Sequence, residues 1–235
     1  MKYKKICEGV FQVDEKGAPI VEIEGKEHFR LMDFFYIAVP ADELNSEQVS
    51  KLCQARVYEK RCFEGANKSI KKLFNRFILK HSSISVLEVG AGNNPVLTRV
   101  EAEASGITYI TSDADDVYQD ISFHFDADTD LPSKSVFDIV ISLFVLHFKF
   151  YQHQINQIFK HIKEDGVFLA NVYNRTDDSR KALEAAFKEE GFQVELFKDP
   201  KNSCREHYYL MASKDIEIIS KNKEILLCLI ESDLE

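Results

Sequence analysis

The chain has 235 residues and a net charge of −9, with 45% hydrophobic and 29% charged residues. That apolar share can fill a packed core, the acidic balance argues against general nucleic-acid binding, and no apolar run approaches the roughly 20 residues of a membrane span. The five cysteines, Cys7, Cys53, Cys62, Cys204 and Cys228, are odd in number and form no C-x-x-C pair, so free thiols in a reducing cytoplasm are expected rather than a zinc site or disulfides.

From Lys5 to about Leu31 the pattern predicts strands: I-C-E-G-V-F-Q-V, a turn at D-E-K-G-A-P, then I-V-E-I-E with the alternation of a half-exposed hairpin. L-M-D-F-F-Y-I-A-V-P follows as an apolar connection ended by Pro40. Asn45 and Ser46 offer N-caps to a helix carrying Val49, Leu52, Cys53 and Val57. After Gly65 a second helix places Ile70, Leu73, Phe74, Phe77 and Ile78 on one face and its lysines on the other. Between Lys51 and Lys80 the basic residues far outnumber Glu59 and Glu64, a local basic patch on an acidic chain. The first residues, M-K-Y-K-K-I-C, lack the apolar stretch of a secretory signal.

From Ser85 onward strands and helices alternate. Strands are predicted at 86–89, Ile107 to Asp113, 122–125 and 136–145, with helices at about 95–104 and 151–163. The turn K-E-D-G leads into V-F-L-A-N-V-Y, a helix at 177–190 ends at Gly191, and F-Q-V-E-L-F and H-Y-Y-L-M-A-S-K read as two final strands. An Ile- and Leu-rich helix closes the chain. Alternation with continuously apolar strands predicts an α/β fold, a mostly parallel sheet with helices on both faces.

The organising stretch is V-L-E-V-G-A-G-N-N-P, Val86 to Pro95. Gly90 and Gly92 permit positive φ and let a ligand approach without a Cβ in the way. Asn93 and Asn94 tolerate capping conformations, and Pro95 suits the first turn of a helix. In an open α/β sheet, ligands sit at the carboxyl ends of the strands.

The order and spacing of these pieces resemble class I S-adenosylmethionine-dependent methyltransferases, Rossmann-like enzymes, over about residues 56–214. V-L-E-V-G-A-G-N-N is similar to the family's glycine-rich first motif. Asp113 stands where the acidic residue ends the second strand. F-D-A-D-T-D-L-P-S-K-S-V-F-D-I-V looks like the stretch from the adenine-contacting loop into the fourth strand. H-I-K-E-D-G-V-F-L resembles the passage into the fifth, and the last two strands look like the reversed pair that closes the family's sheet with an antiparallel strand.

The resemblance implies a division into an N-terminal hairpin or cap (1–47), a helical lead-in (48–84), a donor-binding core (85–214) and a C-terminal helix (215–235). It implies S-adenosylmethionine as cofactor, cradled by Gly90, Ala91 and Gly92 with Glu88 below the turn. Asp113 and Ala114 would meet the ribose, and Asp126 and Ala127 the adenine. Backbone carbonyls of Ser142 and Leu143 would face the methionine amino group, and Tyr58 and Arg61 would close over the donor and meet its carboxylate. Asp128 competes with Asp126 for its role, and Glu88 equally reads as a structural cap of its turn.

His147, just past the fourth strand, is the candidate general base for an O–H or N–H nucleophile. It also reads as a histidine packed among Phe144, Phe148 and Phe150. His207, beside Tyr208 and Tyr209, is a second candidate. His153 and His161 share a helix face without a nearby Cys or carboxylate, so no metal is expected. Two features depart from the family pattern. Asn94 replaces the usual third glycine, and S-L-F-V stands where enzymes acting on base or amide nitrogens carry N-P-P-Y. The expected acceptor is therefore a small molecule bearing O, N or S, with a protein or peptide facing the basic segment as the second reading. Nucleic acid and membrane partners are not expected. Phe34, Phe35, Tyr36 and Phe63 are candidate walls of an acceptor pocket formed by the N-terminal region, with core packing as their other and commoner reading. An NAD-binding oxidoreductase also wants G-x-G and an acidic strand end, though Pro95 occupies its third-glycine position, and a non-catalytic scaffold of the same fold is a further alternative.

Overall fold

A computed structural model describes residues 2–115, 121–201 and 207–232. Cys204 lies outside them, as does the side chain of Phe63. The chain divides into two compact units, one running to Lys68 and taking in His147–Lys149, the other formed by Ser69–Leu146 and the chain from Phe150 onward.

In the first unit, strands β1 (Tyr3–Cys7), β2 (Val10–Val13), β3 (Ile20–Ile23), β4 (Lys26–Leu31) and β5 (Phe35–Ile37) form an antiparallel sheet in the order β1-β2-β5-β4-β3. The stretch expected to be an apolar connection thus contains a central strand. Met32 and Asp33 take left-handed backbone conformations and turn the chain back on itself, so β5 pairs with both β4 and β2. Phe35 and Tyr36 are fully buried here. They are packing residues of this unit, the core reading rather than the pocket-wall one. Helix α1 (Ser46–Val57) starts where Asn45 accepts from the Gln48 N–H at 2.9 Å and Gln48 reaches back to the Asn45 N–H at 3.0 Å.

The second unit is a seven-stranded sheet in the order β11-β12-β10-β9-β6-β7-β8. Its members are β6 (Ser85–Val89), β7 (Thr108–Asp113), β8 (Phe123–His124), β9 (Phe137–Ser142), β10 (Ile162–Val172), β11 (Gln193–Lys198) and β12 (Tyr208–Ser213). The pairs from β8 through to β10 are parallel, while β12 lies antiparallel to β10 and β11 antiparallel to β12. Strand order reverses at β6 and β9, the topological switch point at which open sheets bind ligands. On one face pack α2 (Ala66–Leu79), α3 (Arg99–Ala104) and α6 (Ile216–Ser232), through Phe74, Phe77, Ala102, Leu226 and Ile230 against Val86, Ile141, Leu169 and Met211. On the other lie α4 (Gln152–His161) and α5 (Asp177–Glu189), through Ile155, Ile158, Leu183 and Phe187 against Leu87, Val140, Phe168 and Leu210. The closing helix is therefore a working part of the sheet's cover.

Three boundaries differ from expectation. The helix after the glycine stretch begins at Arg99, because the stronger signal is the Thr98–Glu101 capping box, not Pro95. The fourth parallel strand stops at Ser142, since Phe144 has φ 55° and cannot continue it. The K-E-D-G turn is absorbed into β10 as an irregularity: Ile162 pairs with Phe137 and the ladder resumes at Val167 with Ile139. A Cβ on Gly166 would lie 3.0 Å from the carbonyl oxygens of Phe137 and Asp138, so only glycine fits that excursion without adjustment. Among the described residues no helix is long and apolar enough to cross a membrane.

Candidate functional site

The carboxyl tips of β6, β7 and β9 carry Glu88 and the glycine turn, Asp113, and Ser142. At the end of β6 the chain turns sharply. The N–H groups of Gly90 and Ala91 donate to the Ser112 carbonyl at 2.9 and 3.0 Å. Gly92, at φ 55°, donates to Asp113 Oδ2 at 2.8 Å. Gly90 has φ 77°, and a Cβ built there would lie 2.2 Å from Val145 Cγ2. Val145 occupies the space that any other residue at position 90 would need. The turn is thus specified twice, by backbone sign and by close packing.

Asp113 ends β7 with Oδ1 accepting the Asp115 N–H at 3.0 Å and Oδ2 accepting Gly92. Burial pushes its carboxyl above the usual Asp value in spite of these bonds. The carboxylate keeps acceptor capacity for a ligand hydroxyl. Ala114, next along, is exposed.

Glu88 is 2% exposed, and burial pushes its carboxyl up to about 7. Its Oε2 accepts the Val96 N–H at 2.9 Å and the Tyr109 hydroxyl, while that hydroxyl also accepts the Leu97 N–H at 3.3 Å. Glu88 therefore fastens the far side of the glycine turn to β7, as a cap does. Tyr109, which nothing in its strand pattern marks out, is the other half of that fastening.

Asp126 caps its own loop. Oδ1 accepts the N–H groups of Asp128 and Thr129 at 2.9 and 3.0 Å, Oδ2 meets His124 Nε2 at 2.9 Å, and Ala127 is half-buried beside it. Burial pushes the Asp126 carboxyl up, but the Asp128 N–H and the His124 ring outweigh it and leave it below the usual value. Asp128 is exposed.

Ser142 is buried, with its hydroxyl donating to the Val89 carbonyl at 3.0 Å, which ties β9 to β6 at the switch point. Leu143 follows, buried in the core on one face of the sheet, and the Phe144 N–H donates to Asn171 Oδ1 at 2.7 Å. Asn171, at the tip of β10, was not singled out from sequence, because an Asn ending an apolar run resembles a strand terminator. Its buried Nδ2 meets no hydrogen-bond partner among the described residues. The same holds for both ring nitrogens of His207, which is fully buried, with Nδ1 3.5 Å from the Asp199 carboxylate and its ring 4.9 Å from that of Tyr209.

The remaining candidates belong to the first unit. Tyr58, 87% exposed, caps the C-terminus of α1. The Arg61 guanidinium is bidentate on Glu59, with both contacts at 2.6 Å, donates to the Asp14 carbonyl at 2.8 Å and lies 3.9 Å over the Phe34 ring. His147 is 1% exposed, with its ring 3.9 Å from that of Phe148. In the helical pair, His161 Nδ1 donates to the Gln157 carbonyl at 2.8 Å, and His153 Nε2 sits 3.1 Å from the Thr129 carbonyl and 3.2 Å from Asp130 Oδ1, a carboxylate the sequence did not place beside it.

One further cation stands at the glycine turn. Lys71 of α2 donates to Asn94 Oδ1, and Asn75, one helical turn on, donates to the Val96 carbonyl at 3.3 Å. Lys71 was expected on a solvated face. It instead lies on the flank of the helix, half-buried, and burial pushes its ammonium below the usual Lys value.

Comparisons with known proteins give the family and the fold. A family model described as a methyltransferase domain matches residues 58–217. Among solved structures, a TehB-like SAM-dependent methyltransferase from Corynebacterium glutamicum is similar with a TM-score of 0.50 at 14% identity, covering 70% of this chain and 98% of that one. A putative O-methyltransferase from Nostoc punctiforme gives 0.52 at 11% identity, covering 69% and 60%. The CurJ carbon methyltransferase gives 0.50 at 14%, covering 72% and 61%. At such identities the likeness is one of fold. None of the curated proteins matches the chain.

Proposed function

The chain belongs to the methyltransferase-domain family and takes S-adenosylmethionine as its methyl donor, and we propose that the methyl goes to a nucleophilic O, N or S of a small molecule. The observation that carries the donor's placement is the glycine turn closed onto Asp113 at the sheet's switch point, with Val145 seated where a Cβ at position 90 would be. The residues present fit the group: a turn whose glycines, Gly90 and Gly92, carry no side chain of their own, a carboxylate with acceptor capacity to spare, and a cation on the turn.

The donor supplies a methyl already activated on a sulfonium, so the protein's work is alignment and exclusion of water. Asp113 accepts the ribose hydroxyls, with Ala114 beside it. Gly90 to Gly92 form the floor, and Glu88 and Tyr109 keep that floor from moving by fastening Val96 and Leu97. Asp126 and Ala127 form the adenine end, and the backbone carbonyls of Ser142 and Leu143 receive the amino group. For a hydroxyl acceptor we assign the proton to His147, on the ground of its place in the chain just past β9.

A small acceptor accords with the net charge of −9, which disfavours polyanionic partners. The test is transfer of labelled methyl from the donor into a cell extract by the purified chain. Label recovered in the small-molecule fraction supports the proposal. Label recovered in protein gives the acceptor to a polypeptide and refutes it.

A further inference from the structure

We infer that Lys71 is the cation that receives the carboxylate of the donor's methionine end. The inference rests on the donor assignment above and extends it to a residue that the sequence had placed among solvated lysines. Lys71 is half-buried on the flank of α2 and reaches the glycine turn, where its hydrogen-bond partner is the neutral Asn94 side chain. Among the described residues it makes no ion pair within 4.0 Å. The nearby acids, Glu88 and Glu101, favour its charge through space, but neither forms an ion pair with it. Glu88 is buried and already takes the Val96 N–H and the Tyr109 hydroxyl, while Glu101 is held by the Thr98 capping box.

An ammonium partly drawn out of water, with no anion in contact, gains from a carboxylate that reaches it. Here it stands at the rim of the one turn the donor must lie on. The donor carries a single negative group, its carboxylate. Arg61, to which the family resemblance gives that carboxylate, has its guanidinium saturated by Glu59, the Asp14 carbonyl and the Phe34 ring. Lys71 has no comparable commitment. A carboxylate arriving at the turn would exchange the Asn94 amide for a charge-assisted partner and leave Asn94 free to accept from elsewhere. Asn75, one turn further along α2, holds the Val96 carbonyl and so keeps the helix flank and the turn in register.

The experiment is binding calorimetry of the full chain with S-adenosylmethionine and with decarboxylated S-adenosylmethionine, which keeps the sulfonium and amine but lacks the carboxylate. The wild type should prefer the first by about tenfold or more, the usual worth of a charge-assisted bond. K71Q should abolish the preference by weakening the first ligand while leaving the second within about twofold, and K71R should restore part of it. A thermal melt of K71Q matching the wild type shows that the fold is intact; should K71Q be unstable, K71R and K71M carry the same comparison. A preference that survives loss of the ammonium, or a wild type with no preference, overturns the assignment while leaving the donor reading standing. A wild type that binds neither ligand overturns both.

Discussion

Glu88 offers the sharpest prediction about the scaffold beneath the site. Its carboxyl is moved from 4.5 to about 7, chiefly by burial, so protonation is favoured in the folded state. The rise from 4.5 to about 7, at ~1.36 kcal/mol per pH unit, corresponds to ~3 kcal/mol. Because the folded value lies above the unfolded one, this stabilisation is complete below about pH 4.5 and is lost as pH rises through about 7; above that it changes no further. E88Q removes the ionisation and keeps an acceptor for the Val96 N–H and the Tyr109 hydroxyl. Urea unfolding of both proteins from pH 4.5 to 8.5 should show near-equal stability at the acid end. Toward pH 8 the E88Q protein should gain progressively, by up to ~3 kcal/mol. Parallel curves, or a variant that loses stability most at high pH, would refute the reasoning, since either result means that Glu88 is charged without penalty in the fold.

Other perturbations follow from the same geometry. G90A places a methyl into Val145 at a residue with φ 77°, so it should lower stability by ~1–3 kcal/mol and weaken donor binding together, both readable in one thermal-shift titration. D113A should weaken S-adenosylmethionine and its demethylated product by ~1–3 kcal/mol, as loss of a charged acceptor for ribose does; unchanged calorimetric affinity removes Asp113 from the site. H147A should slow turnover with a hydroxyl acceptor by about 10²–10⁴ while leaving donor affinity intact, and full turnover would end its candidacy as base.

Much of the fold was readable because its signals are local and redundant. The run from Val86 to Asp113 shows strand, glycine turn and acidic strand end in one window, and the parallel core follows from apolar runs spaced by helical patterns. What escaped depended on partners distant in the chain. β5 reads as a loop because its strand character comes from pairing with both β2 and β4, across turns that Met32 and Asp33 make in a conformation seldom adopted by such residues. Pro95 drew the expected helix start too early, because the real start is decided by which side chain reaches the Thr98 N–H. Lys71 and Tyr109 escaped for a related reason. A lysine in a basic helix and a tyrosine in a strand are unremarkable until the fold brings one to Asn94 and the other to Glu88. The carboxylates were legible as a set, but their present bonds were not: Asp126 is turned onto its own loop and Glu88 onto the turn it supports.

The central claim is that an S-adenosyl nucleoside lies on the turn from Gly90 to Gly92 with Asp113 at its ribose. Its most direct test is a calorimetric titration of the purified chain with S-adenosylmethionine, S-adenosylhomocysteine and NAD in turn. Saturable binding of the first two near one ligand per chain, with none for NAD, is the predicted result. Binding of NAD, or of no S-adenosyl nucleoside by a folded sample, would contradict it.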